Sequence, residues 1–146
     1  MKEQELFIRQ AQSGYTVCFA ATCPLHEHCL RWRVGQLMPP SVSTYRCVNL
    51  EYEGVATPSC PLYRNDQKVS YAKGMLATFT SDMPRRVEEA VRRGIISNTN
   101  RTYYFEYRNG KRLIPPALQA TIRQLFRDNG WAQEITFDGY VDDYAW

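Results

Sequence analysis

Thr102-Tyr103-Tyr104-Phe105-Glu106-Tyr107-Arg108-Asn109-Gly110-Lys111-Arg112-Leu113-Ile114 is the stretch on which the reading of the second half turns. Its aromatic and β-branched residues favour an extended backbone. Asn109-Gly110 then offers two consecutive residues that tolerate positive φ, the requirement of a type I′ turn. The expected structure over 102–114 is therefore a β-hairpin. Before it, Ser81 or Asp82 is placed to cap a helix that has Pro84 near its start and Gly94 just past its end. Met83, Val87, Ala90 and Val91 would form that helix's inner face. After the hairpin, Pro115-Pro116 leads into a second helix over Ala117–Asp128. Leu118, Ile122, Leu125 and Phe126 give it an apolar stripe, and Gly130 ends it. Residues 81–130 thus read as helix, β-hairpin, helix. Trp131, Phe137, Tyr140 and Trp146 are expected to pack the last segment onto the body.

The first half is less regular. Glu3–Gln12 carries Leu6, Phe7 and Ala11 at roughly helical spacing and is stopped by Ser13-Gly14. Tyr15–Phe19 suits a brief strand. Pro24 suits the first turn of a helix running to Gly35, with Leu25, Cys29, Trp32 and Gln36 on one face. From Met38 to Tyr63, Pro39, Pro40, Gly54, Pro58 and Pro61 interrupt any regular element. Together these readings give an α+β fold, one domain over 1–146. Its first half, with a cysteine-rich subregion at 15–64, is heavy in loops.

Cys18, Cys23, Cys29, Cys47 and Cys60 all fall within that half. The odd number argues against a disulfide framework, and clustered thiols in a reducing compartment point to metal. Cys23, Cys29, Cys47 and Cys60 are the expected ligands, since four thiolates can close a tetrahedron around zinc. Long intervening loops are tolerated because closure entropy grows slowly with length. An iron–sulfur cluster accepts four cysteines equally, and Cys23-Pro24 and Cys60-Pro61 suit it. Cys18, His26 and His28 are substitutes, although two histidines two residues apart point in different directions on a helix. Buried free thiols are the plain alternative.

The net charge is +3, unevenly laid out: residues 1–127 hold 18 basic and 10 acidic side chains, and residues 128–146 hold five acids and no base. The positive body raises nucleic-acid binding as an alternative function. It would use Arg85, Arg86, Arg92 and Arg93 on the helix and Arg101, Arg108, Lys111 and Arg112 around the hairpin. Phosphate-binding glycine loops, nucleophile elbows and His-Glu-x-x-His are absent from the sequence. An enzyme would have to be cysteine-dependent, with Cys18 as nucleophile and His26 or His28 as base. Acid in Met1–Glu5 and the early Arg9 leave no expected secretory leader, and no apolar stretch approaches a membrane span. The expected setting is cytoplasmic, the expected role a regulatory or interaction module with a protein partner.

The order of motifs resembles a bacterial domain family of unknown function of about this length. The resemblance rests on Cys23-Pro24 with Cys29-Leu30-Arg31, Cys47-Val48-Asn49 and Cys60-Pro61-Leu62-Tyr63-Arg64. It continues through Tyr71-Ala72-Lys73-Gly74-Met75, Tyr103-Tyr104, Arg108-Asn109-Gly110 and Ile114-Pro115 ahead of Gln119 and Ile122. It implies that cysteines and hairpin belong to one unit, and it brings no activity with it.

Overall fold

A computed structural model describes residues 2–146. The chain is of mixed α+β type: α1 (Glu3–Gln12), a single 3-10 turn (His26–His28), α2 (Leu30–Gly35), β1 (Lys68–Lys73), α3 (Arg85–Asn98), α4 (Arg101–Arg108), α5 (Pro116–Asp128) and β2 (Gly139–Tyr144). β1 and β2 form a two-stranded antiparallel sheet. The chain divides into two compact units: residues 1–67 with 144–146, and residues 68–143.

The first unit packs α1 against α2 around Phe7, Ala11, Val17, Leu30, Val34 and Tyr144. Phe7, Tyr144 and Trp146 meet edge to face at 5.3–5.8 Å, which uses ring quadrupoles as well as buried area. Asp66, nearly buried, accepts from Arg33 at 2.9 Å, and Arg33 also reaches Glu3 at 3.4 Å. The Tyr144 hydroxyl donates to the other oxygen of Glu3. Between α1 and β1 there is little ladder. Val17 pairs in parallel with Cys47 and Cys29 antiparallel with Asn65, each as an isolated bridge. The anticipated strand over Tyr15–Phe19 is reduced to the first of these. The anticipated helix over Cys23–Gly35 is broken into the 3-10 turn and α2, because Cys29 is extended (φ −103°, ψ 119°) to meet Asn65.

The second unit is built on α3, against which both α4 and α5 pack. Val87, Val91 and Ile95 form the buried stripe of α3, with Tyr104 and Tyr107 from α4 and Ile122 and Phe126 from α5. Gly94 does not end α3. The helix runs on to Asn98, and a Cβ at Gly94 would stand 2.6 Å from a Leu125 methyl. The missing side chain at Gly94 lets Leu125 of α5 lie directly against α3.

The anticipated β-hairpin over 102–114 is not formed, and its first arm is a helix. Asn100 caps α4, its side chain accepting from the Tyr103 N–H at 2.8 Å. Tyr104 and Tyr107, three residues apart, are buried while Tyr103 and Phe105 are exposed, so the aromatic run obeys a helical period. Asn109-Gly110 is the stop of that helix. Gly110 has φ +75°, Lys111 N–H donates to Glu106 C=O at 2.9 Å, and Gly110 N–H to Tyr107 C=O at 3.3 Å. This is the paired Schellman arrangement. A dipeptide able to take positive φ serves a hairpin or a helix end equally well. The anticipated return arm is not a strand either: Lys111 and Arg112 form a bend, and only Ile114 pairs, as an isolated bridge to Ala72 through mutual bonds of 2.8 and 3.0 Å.

Candidate functional site

Residues 15–67 contain few ladder bonds, so their backbone groups are satisfied by successive tight turns. Tyr52 N–H donates to Asn49 C=O, Val55 to Tyr52, Cys60 to Thr57 and Tyr63 to Cys60, all at 3.1–3.2 Å. Asn49, Thr57 and Asn65 each turn a side-chain oxygen onto the N–H two residues ahead. These turns fold the segment around a cavity lined by Cys18, Cys23, Cys29 and Cys60, with Val48 and Val55 among its apolar wall residues. Its volume is about 20 Å³, room for about one water molecule. Ala56 is also in the wall, with φ +60°, the one described residue other than glycine in that region of backbone space.

Each cysteine arrives on a different local structure. Cys18 follows Val17 in the bridge to Cys47, and its N–H donates to Arg31 C=O at 3.0 Å. Cys23 closes a turn onto Ala20 at 3.0 Å, Cys29 is the N-cap of α2, and Cys60 closes a turn onto Thr57. Cys23 and Cys29 are buried; Cys18 and Cys60 are partly so. Arg31 ties two of these segments together, donating from Nη1 to Thr16 C=O and from Nε to Leu62 C=O, both at 2.9 Å. Arg31 is also among the residues that line the cavity.

Of the four cysteines anticipated as ligands, Cys23, Cys29 and Cys60 are on this wall, and Cys47 is not. Cys47 is exposed and its thiol points to Val48 C=O at 3.5 Å. Period-two alternation explains the exchange. Val17 is buried in the first unit's core and lies opposite Cys47, so the next residues along, Cys18 and Val48, turn to the cavity instead. Among the described residues, no three His, Cys, Asp or Glu side chains gather closely enough to hold one metal ion. His26 is turned by its Nδ1–H donating to Cys23 C=O at 2.7 Å and by edge contact with Trp32 at 4.7 Å. A carbonyl only accepts, so Nδ1 carries the proton. His28 is exposed and faces Asp66 at 3.5 Å.

Burial pushes the Cys18 thiol above its ordinary value, and nearby Cys29, Cys47 and Cys23 add to the rise against one backbone hydrogen bond. An activated nucleophile needs the opposite. The arginines of the nucleic-acid alternative are dispersed. Arg85, Arg92 and Arg108 share a cleft between α3 and α4 with Glu88 and Glu89, and Arg85 pairs with Glu89 at 2.9 Å. Arg112 is held by Glu106 at 2.6 Å and stacks over Tyr103. Arg86, Arg93 and Lys111 are exposed outside that cleft.

Among the described residues, no helix is long and apolar enough to cross a membrane. No curated protein and no solved structure matches the chain. The family model that does match covers residues 1–146, and the chain belongs to that family, one of unknown function (DUF6078).

Proposed function

We propose that this chain is a metal-cofactor-binding module in which cysteines of residues 18–60 hold a zinc or iron–sulfur centre that organises the first unit. The observation that carries the reading is that Cys18, Cys23, Cys29 and Cys60, from four different stretches of chain, line one apolar cavity. Arg31, another lining residue, ties the Thr16 and Leu62 carbonyls to α2 beside these cysteines. Metal binding contributes folding free energy directly, which suits a segment with few ladder bonds and a small core. All five cysteines are free, in keeping with a reducing, cytoplasmic setting. The partner we favour is a protein, because the arginines that share a cleft share it with two glutamates.

The test is elemental analysis of protein purified without oxygen, with protease digestion before and after chelation. Zinc or iron bound in fixed ratio, and cleavage within residues 18–67 that appears only after chelation, are the expected results. Absence of both metals would end the proposal.

A further inference from the structure

We infer that the cleft between α3 and α4 binds a small zwitterion of the amino-acid type, its carboxylate between Arg92 and Arg108 and its amino group at Glu88. The inference is independent of the metal-binding reading, since every residue it uses lies in the second unit. Arg85, Glu88, Glu89 and Arg92 follow one another at helical spacing and form a polar stripe along α3 beside its buried one. Tyr104 and Arg108, one turn apart on α4, complete the cleft with Phe105. Its volume is about 260 Å³, which suits a molecule smaller than a typical drug.

Arg85 is taken up by Glu89 at 2.9 Å. That pair is neutral, and it leaves two guanidiniums, Arg92 and Arg108, in the cleft with one carboxylate, Glu88. All three act on Tyr104, a core residue only 3% exposed: burial raises its pKa, Arg108 and Arg92 work against the rise, and Glu88 adds to it. Two like charges brought to one phenol from different helices repel each other, and an anion seated between them relieves the repulsion. A carboxylate matches the planar fork of arginine, and the neutral phenol has an O–H to donate to it. Glu88 selects the other end of the ligand, repelling a second negative charge and attracting an ammonium. A phosphate, with its greater negative charge, therefore suits the cleft less well. The exposed ring of Phe105 offers an apolar face to the remainder of the molecule.

The probe is L-phenylalanine, titrated into the full chain by calorimetry. Hydrocinnamate, which lacks the amino group, phenethylamine, which lacks the carboxylate, and inorganic phosphate are titrated beside it. Saturable binding of phenylalanine is expected, with each of the other three weaker by about tenfold or more. Arg92→Gln and Tyr104→Phe are expected to weaken phenylalanine binding by a similar factor. Glu88→Gln is expected to weaken phenylalanine and to strengthen hydrocinnamate, a reversal that a general loss of structure would not produce. Arg92 and Glu88 are exposed and Tyr104→Phe keeps the buried ring, so circular dichroism should show all three variants folded. No saturable binding of phenylalanine even at millimolar concentration, phosphate binding as tightly, or affinity unchanged in Arg92→Gln would each overturn the proposal. None of these outcomes bears on metal content, so this site and the cysteine site stand or fall separately.

Discussion

Gln119 shows how much one polar side chain holds in place. It is buried on α5, and its Nε2 donates to Ser70 C=O at 3.0 Å and Ile114 C=O at 2.8 Å. Those carbonyls belong to β1 and to the strand-like arm that pairs with it, so Gln119→Leu leaves two acceptors without this donor. The expected loss is about 1–3 kcal/mol by urea denaturation. Tyr144 makes a pH-dependent contribution. Burial, and the hydrogen bond it donates to the Glu3 carboxylate, push its pKa from 10.0 up to about 12. Its folded-state value lies above the unfolded one, so its contribution is complete below pH 10.0 and is lost as pH rises toward about 12. Tyr144→Phe should therefore lower stability at neutral pH and flatten the alkaline decline, as read from unfolding curves across that window. Neither role is visible in sequence: nothing in Gln119 or Tyr144 announces which carbonyl or carboxylate will face it.

Among the elements, α4 is the instructive one. Its residues have strand propensity, yet the Asn100 cap, the i, i+3 burial of Tyr104 and Tyr107, and the Schellman stop at Gly110 all agree on a helix. Asn100→Ala should destabilise by about 1 kcal/mol and Asn100→Asp much less, measured by thermal melting with helicity followed by circular dichroism. A hairpin would be indifferent to both. In the first unit, α2 sits directly against the Cys18 backbone. A Cβ on Gly35 would stand 2.9 Å from Cys18 C=O, too close for a carbon to remain without displacement of the main chain. Gly35→Ala is expected to cost about 1–3 kcal/mol, read by urea denaturation. The helices with clean apolar stripes, α1 and α5, are legible from sequence because their periodicity is local. β1 and β2 are not, because only their partners make them strands. α3 is anticipated in kind but not in extent, since Gly94 is there for Leu125 rather than for a turn.

The described residues form two hydrophobic clusters of different make. The second unit's is built from helices and large apolar side chains, and the first unit's is smaller and adjoins the cysteine-lined turns. On the proposed metal-binding reading, chelation is expected to raise hydrogen exchange across residues 18–67 while α3 and α5 keep their protection; uniform loss of protection would contradict it. What could be read from the residues alone was the α+β class, the bounds of α1 and nearly all of α5. Each follows from composition or from periodicity over a few turns of chain. The choice of helix over hairpin at 101–114, and of Cys18 over Cys47 on the cavity wall, depended on tertiary contacts. Asn-Gly suits either turn, and which of two cysteines faces inward is set by the pairing of Val17 with residue 47, thirty positions away. Such long-range pairing leaves no periodic trace in the chain.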